Sequence, residues 1–321
     1  MMVTADLQNI LDSFWYSFRD HYSGSYTRRI LEEAAALLGN LWPYLVAGIL
    51  LTTLIKMVLS KEQVAVFFNR NKKVSILLAA AIGVVAPLGS YVVIPLSASL
   101  FLLGTPLPVL MALLVASPLI DPNLFILTAG AFGFKLALAR MAAAFFLGVG
   151  AGYLTQWLIR IAFIKEDRIL KEGAEIASGP SAENTENKVI FRFFRSLYGM
   201  TLYISKFFFL AILLAALIKI ITPPNLMNKI FNGSEFFSVL FSTAAGIPFY
   251  TCGGAAIPVV LELAELGLSP GAVLAFFIAG PVTKFSNLVL MYGAFNFRIF
   301  TVYVLTGISG AILFGWIYNI L

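Results

Sequence analysis

GIPFYTCGGAAIPVV, residues 246–260, is too apolar for a surface loop and too often interrupted for a regular helix. Pro248 and Pro258 lie in it together with three glycines. Proline removes a backbone N–H donor and clashes with the preceding turn, and glycine lets the backbone leave helical geometry. We therefore interpret this stretch as a break inside a membrane segment.

Composition places the whole chain in a membrane. Of 321 residues, 60% are hydrophobic and 12% are charged, and the mean hydropathy is +0.91. A soluble domain cannot cover its surface with so few charges. Apolar runs such as 41–55, 208–218 and 300–321 approach or reach the length that spans a bilayer. The sequence predicts an all-α polytopic membrane protein, with lipid as its surroundings.

Charge and residue counts exclude several functions. The net charge of +6 comes from basic residues in short connections, where lipid headgroups account for them, so we expect no nucleic-acid partner. One cysteine and one histidine, His21, cannot form a disulfide or a His-rich metal site. No phosphate loop, HExxH motif or catalytic triad is present. We therefore expect neither an enzyme nor a cofactor.

The chain divides at its polar segments. Residues 1–32 hold an amphipathic stretch, 7–20, which fits an interfacial helix or an ordinary packed one. Residues 33–161 form a predicted first transmembrane repeat, and the mixed-charge segment 162–195 is predicted to be a polar linker. Residues 196–321 form a predicted second repeat.

An internal duplication supports this division. Pro258 minus Pro95 is 163, and so is Pro281 minus Pro118. At this offset 83–134 aligns with 246–297 without a gap, and 14 of the 52 residue pairs are identical. Such repeats are typical of secondary transporters, whose substrate site lies between the halves. The sequence leaves open whether the halves are parallel or inverted.

Each repeat contains two breaks. The first lies at 85–95 and 248–258, and the second at 116–123 and 279–287. Backbone groups freed in hydrocarbon cost several kcal/mol each unless protein or water satisfies them. Four matched breaks therefore predict a central site built from helix ends, which suit small ionic or polar ligands. The alternatives are proline kinks in packed helices, or re-entrant hairpins.

The first break and its continuation, APLGSYVVIPLSASLFLLGTPLPVLMALLVASP (86–118), resembles the hallmark of the YraQ/ArsP-type predicted permeases. That family typically shows Ala-Pro-x-Cys-Ser-Cys-Gly-x-x-Pro, a later Gly and an Ala-Ser-Pro. Residues 251–287 resemble its C-terminal motif more closely still, and the resemblance covers roughly 35–320. It implies a permease of the inner (plasma) membrane with about eight transmembrane helices, whose characterised relatives export trivalent organoarsenicals or are linked to metal export.

The chain departs from that hallmark at the two cysteines. Gly89 and Tyr91 stand in their places, and Ser90 between them is retained. A thiolate pair is what would capture a trivalent arsenical or a soft metal ion. With Cys252 alone, an arsenical or a soft metal ion would be bound by one thiolate together with oxygen donors. This weakens the hypothesis of arsenical or soft-metal export, and Cys252 is the candidate metal ligand.

The breaks supply the candidate site residues. Asp121 and Lys284 match at the offset of 163, and either they form a clamp across the repeats or one carries a coupling proton. Glu262 is a further candidate for proton coupling. For polar residues after the second breaks the alternative role is helix capping, and for Cys252 it is burial as an inert residue. The predicted substrate-binding residues are Cys252, Gly253, Gly254, Gly89, Ser90, Tyr91, Asn123, Ser286 and Asn287.

These features predict a secondary transporter that exports a small ion or a metalloid or metal compound by alternating access. A non-transporting membrane scaffold, or a membrane subunit of a larger complex, is the alternative. Helix breaks at membrane depth favour the transporter, because a scaffold has no need of them. The sequence leaves a homo-oligomer open.

Overall fold

The structure of the chain is a computed structural model. It describes residues 25–58, 74–86, 90–164, 169, 198, 201, 205, 208–217, 235–249, 254 and 256–321. The amphipathic stretch and almost all of the predicted linker lie outside these residues. For brevity, residues 25–164 are called the first half and residues 198–321 the second half, as labels of sequence position.

The described residues form twelve helices and no β-strand. Their long apolar runs contain few breakers apart from the prolines and glycines at which the helices end. In chain order they are α1 (Ser25–Val58), α2 (Ser75–Val85), α3 (Ser90–Leu102), α4 (Leu107–Ala116), α5 (Pro122–Phe132), α6 (Phe134–Arg160), α7 (Phe208–Leu217), α8 (Glu235–Phe249), α9 (Ala256–Glu265), α10 (Pro270–Thr283), α11 (Phe285–Ala294) and α12 (Phe297–Ile320).

Three of these helices are long and apolar enough to cross a bilayer. They are α1 over Ile30–Leu51, α6 and α12. A fourth candidate is α10 with α11, which are bent by 43° at their break. The remaining apolar helices have 10–17 residues, too short to span alone. The helical membrane protein predicted from composition is confirmed, whereas the count of eight spans stays a prediction.

The breaks fall within the stretches predicted for them but are shorter, because Pro95, Pro258 and Pro281 lie inside helices. α2 ends at Val85, and α3 begins at Ser90 and contains Pro95. α8 ends at Phe249 and α9 begins at Ala256. The second breaks separate α4 from α5 and α10 from α11. Each break therefore divides an apolar stretch into two short helices, and it frees backbone groups that the rest of the protein must satisfy.

Helix starts recur at a constant spacing. The turns before α4 and α10 each use a glycine with positive φ, Gly104 at +88° and Gly267 at +104°, a conformation that other residues rarely adopt. The following pairs of helix starts are each 163 residues apart: Leu107 and Pro270, Pro122 and Phe285, Phe134 and Phe297.

Two groups of three helices pack in the same manner. In the first half α2, α4 and α6 contact one another, and in the second half α8, α10 and α12 do so. Glycines allow the close approach. A Cβ on Gly152 would lie 2.9 Å from the Pro108 carbonyl oxygen, and one on Gly315 would lie 2.7 Å from that of Gly271. Both pairs are again related by 163, since 152 plus 163 is 315 and 108 plus 163 is 271.

The end of α6 lies beside the start of α12. The Arg298 guanidinium donates to the Phe163 carbonyl and lies 5.4 Å from the centroid of the Phe163 ring. The Asn296 N–H donates to the Ile169 carbonyl at 2.9 Å. At the other end of α12, Asn319 accepts from the Gly271 N–H at the start of α10. α6 and α12 also meet nearer their middles, where a Cβ on Gly310 would collide with Leu147, so they run in opposite directions.

Candidate functional site

The helices that follow the breaks pack crosswise between the halves. α3, which follows the first break of the first half, packs against α11, which follows the second break of the second half. α9 and α5 form the reciprocal pair. Gly254 takes part in this contact, because a Cβ on it would lie 3.4 Å from Cδ1 of Leu127 in α5. Broken segments of both halves therefore meet at one interface.

Asp121 closes the second break of the first half. Its Oδ1 accepts the Leu124 N–H at 2.8 Å, and Pro122 occupies the first helical position of α5. This is the arrangement of a helix N-cap, in which a side-chain oxygen replaces a missing backbone acceptor. The carboxylate that the sequence offers as a clamp or proton carrier thus holds the start of α5. Its pairing with Lys284 stays a prediction.

Asn287 closes the matching break of the second half. Lys284, half-buried, separates α10 from α11, and its carbonyl accepts the N–H groups of Asn287 at 2.8 Å and Leu288 at 3.0 Å. The Asn287 side chain is fully buried and donates from Nδ2 to the Pro281 carbonyl at 2.6 Å. A side-chain amide thus bonds a carbonyl near the break, as membrane depth requires.

Arg140 links the second break of the first half to a helix of the second half. It is not among the site residues predicted from the sequence. It is completely buried near the start of α6. Its Nε donates to the Leu119 carbonyl in the second break at 3.1 Å, and its Nη1 donates to Thr128 Oγ1 in α5 at 2.8 Å. The guanidinium carbon lies 4.4 Å from the ring centroid of Phe277, on α10 of the second half. Such stacking of a guanidinium on an aromatic face is attractive.

A signal for Arg140 was present in the sequence. It is an ionisable residue inside a continuous apolar span, and the same rule that selected Asp121 applies to it. Glu262, which the sequence did select, is fully buried in α9. Within the described part of the chain, Arg140 and Glu262 are the buried charged residues. They lie on helices that both pack against α5.

Asn123 and Ser286 occupy matched positions one residue inside α5 and α11. Asn123 is buried against Gly48 of α1, where a Cβ would collide with it. The Asn123 Oδ1 and Ser286 Oγ atoms are buried, and neither has a hydrogen-bond partner among the described residues. A buried polar atom without a hydrogen bond costs about 1–3 kcal/mol. Both oxygens are therefore suited to accept a hydrogen bond from a ligand, from a water molecule, or from the protein in another conformation.

Several predicted site residues have no described surroundings. Gly89, Cys252 and Gly253 lie outside the described residues, and Ser90 and Tyr91 are described as the backbone of the first turn of α3. Their substrate-binding roles, and that of Cys252 as a metal ligand, stay predictions. Among the residues that are described, no group of three or more His, Cys, Asp or Glu side chains could hold a metal ion.

The arrangement offers backbone carbonyls, amides and hydroxyl groups together with one buried cation and one buried carboxylate. It defines a helical membrane protein whose broken helices meet at an internal interface. The chain belongs to the ArsP_1 family, described as "Predicted permease", which matches residues 27–320. The resemblance seen in the break motifs is thereby confirmed. Membership supports a membrane permease rather than an enzyme.

Curated relatives agree with this assignment. The chain is 22% identical over 278 residues to "UPF0718 protein YcgR" of Bacillus subtilis (strain 168), covering 84% of this chain and 92% of the relative. It is also 22% identical over 267 residues to "Putative two-component membrane permease complex subunit" of Streptococcus mutans serotype c, covering 82% of this chain and 85% of that protein. No solved structure matches the chain.

Proposed function

We propose that this chain is a secondary transporter of the inner (plasma) membrane that exports a small ion or a metalloid or metal compound by alternating access. The observation that carries the proposal is the crosswise packing of α3 on α11 and of α9 on α5. Helices that begin at breaks contribute open backbone groups and N-terminal dipoles, which favour small polar or ionic ligands. Movement of one half against the other would open this interface.

The proposal includes two homologous halves of opposite orientation. α6 and α12 start at matched residues, yet the end of α6 lies beside the start of α12. Two matched spans that run in opposite directions require an odd number of crossings per half. We therefore propose an odd number in place of the four per half that eight spans imply. Inverted repeats of this kind are a common architecture of secondary transporters.

The break residues provide the proposed site. Gly254, Ser286 and Asn287 of the second half, with Asn123 of the first, are the described candidates for substrate contact. Buried Glu262 is the proposed site of proton coupling. An ionisable side chain inside the membrane is energetically costly, so its presence there indicates a functional role. For a soft cation Cys252 would add one thiolate, which binds without the tightness of a thiolate pair.

A flux assay tests the proposal. The purified chain is reconstituted in proteoliposomes, and efflux of a trivalent methylarsenical, Zn²⁺ and chloride is followed with and without a proton gradient. We expect flux of at least one probe. Asp121→Asn and Lys284→Met should each lower it about tenfold, a loss of about 1.4 kcal/mol in the rate-limiting barrier. Lys135→Met, at an exposed position on α6, is the control and should leave flux unchanged.

Two outcomes would contradict the transporter. The first is that none of the three probes moves while the protein remains folded. The second is that flux occurs but does not respond to either break variant, which would place the pathway elsewhere. If flux does not depend on the proton gradient but still responds to the break variants, the proposed site stands and the proposed proton coupling through Glu262 is wrong.

A membrane subunit of a larger complex is the second candidate, and the name of the Streptococcus mutans relative favours it. In that case flux would require a second membrane protein that copurifies with this chain from its native membrane. Purification in mild detergent followed by native mass spectrometry would show a stoichiometric partner. The same measurement reports whether the chain forms a homo-oligomer.

A further inference from the structure

Arg140 and Tyr303 occupy matched positions, because 303 minus 140 is 163. Both side chains are completely buried, on α6 and α12 respectively. Arg140 donates to the Leu119 carbonyl in the second break of its own half. The Tyr303 hydroxyl has no hydrogen-bond partner among the described residues. The two halves therefore differ in chemistry and in hydrogen bonding at this matched pair of positions.

The residue that matches Leu119 is Val282, since 119 plus 163 is 282. Val282 packs directly against α12, because a Cβ on Gly307 would collide with its side chain. Gly307 lies one helical turn after Tyr303, which places that side chain on the stretch of α12 that borders the second break. The helical spacing therefore puts Tyr303 on the face of α12 that packs against Val282, and its hydroxyl makes no counterpart of the Arg140 bond among the described residues.

We propose that Arg140 and Tyr303 are positioning residues that hold the two second breaks alternately during transport. In the present state Arg140 fixes the Leu119 carbonyl. In the opposite state, in which the halves exchange conformations, Tyr303 donates to the Val282 carbonyl and Arg140 releases Leu119. This inference rests on the proposed alternating-access function and adds the residues that balance its two states.

The stacking of Arg140 on Phe277 couples the two second breaks, so that they change conformation together. Phe277 lies on α10 directly before the second break of the other half, and the guanidinium contacts it while bonding Leu119. Opening one break therefore disturbs the helix that leads into the other. A buried tyrosine hydroxyl normally finds a partner, and the opposite state supplies one. The bond gained by Tyr303 offsets part of the loss at Arg140.

Hydrogen–deuterium exchange of the full chain in lipid nanodiscs tests the proposal without a substrate. Backbone exchange is compared for segments 113–126 and 276–289, which contain the two second breaks. For Arg140→Gln we expect exchange to rise about fivefold in the first segment and to fall in the second, the scale of a modest coupling between two states. Arg140→Lys keeps the positive charge but loses the planar, forked set of guanidinium N–H donors, so it should give smaller changes in the exchange rates of the two segments.

A double variant separates this mechanism from simple damage. Tyr303→Phe removes the bond of the opposite state, so by itself it should lower exchange in segment 113–126. Added to Arg140→Gln, it should return both segments toward the wild-type rates. Two merely structural losses would instead add, raising exchange in both segments. Additive rises, or no change in either segment, would overturn the proposal.

Phe277→Leu provides a second route if Arg140→Gln does not fold. It removes the aromatic face, keeps the guanidinium, and installs the residue found at the matched position, Leu114. The same opposite shifts are expected, with smaller size. Residues 150–158 of α6, where Gly152 faces Pro108 at the start of α4, serve as the internal control and should not change. Because this experiment measures hydrogen exchange and not flux, a negative result would leave the transporter proposal standing. Conversely, the exchange result can be interpreted even if the flux assay detects no transport.

Discussion

At the scale of single residues, the breaks are stable because particular side chains bond the backbone around them. Asp121 accepts an N–H at the start of α5, and Asn287 donates to a carbonyl at the end of α10. Arg140 does the same for the Leu119 carbonyl. Each of these groups replaces a bond that a continuous helix would have made. The chain can therefore keep non-helical backbone inside an apolar environment.

Removal of the Asn287 amide should destabilise the protein. Asn287→Ala leaves the Pro281 carbonyl without its 2.6 Å bond in a fully buried place, which costs about 1–3 kcal/mol. Thermal unfolding in detergent, followed by circular dichroism, measures the change. Ser309→Ala removes the hydroxyl of an exposed residue that bonds only its own helix, and it should change stability by less than about 0.5 kcal/mol. Equal effects of the two variants would show that the Asn287 bond contributes little.

At the scale of the helices, glycines set how closely the spans approach. Gly152 brings α6 against the start of α4, and Gly315 brings α12 against the start of α10 in the matching manner. Both glycines contact a backbone carbonyl, which cannot move aside as a flexible side chain can. These contacts fix where α4 and α10 begin relative to the long spans, and thereby the depth of both second breaks.

Gly152→Ala and Gly315→Ala should each separate a pair of helices. The added Cβ would meet a backbone oxygen at 2.9 Å or 2.7 Å, so overpacking should cost about 1–3 kcal/mol in each case. Gly150→Ala is the matched control, since a Cβ there has no atom within 4 Å and changes stability by no more than about 1 kcal/mol. Unfolding midpoints of the three variants measure the difference. A loss at Gly150 as large as at Gly152 would indicate a general effect of glycine replacement.

The sequence predicted the helices and their breaks more completely than their contacts. Proline and glycine act on their own backbone, so the breaks fall within the stretches that Pro95, Pro118 and their matched prolines delimit. The crosswise packing of α3 on α11 depends on how distant segments meet, which no local pattern specifies. For the same reason the sequence offered Asn287 as a substrate ligand, with capping as the alternative, and could not show its bond to Pro281.

At the scale of the whole molecule, one short polar cluster bears on the topology. Phe163 and Ile169, just after α6, bond Asn296 and Arg298 at the start of α12. Charge in the loops could not settle whether the halves are parallel or inverted, because basic residues occur in several connections. The contacts of this cluster join residues more than 120 positions apart, and they support the proposed inverted arrangement.

Two matched phenylalanines test the inverted arrangement. Phe134 and Phe297 are the first residues of α6 and α12, and they are 62% and 61% exposed. In a Cys252→Ser background, Phe134→Cys and Phe297→Cys should react with a membrane-impermeant maleimide from opposite sides of the membrane. Arg160→Cys, at the end of α6, should react from the same side as Phe297→Cys. Labelling of both matched positions from one side would establish parallel halves instead.

The crosswise packing also constrains how such a chain could have arisen. α3 and α9 each pack on a helix of the other half, so each half supplies part of the surroundings of the other half's broken segments. On the proposed inverted arrangement, a single-repeat ancestor would have needed a second copy of itself, inserted in the membrane in the opposite direction. Duplication and fusion would then have tied the two copies together and allowed their sequences to diverge, as Arg140 and Tyr303 have done.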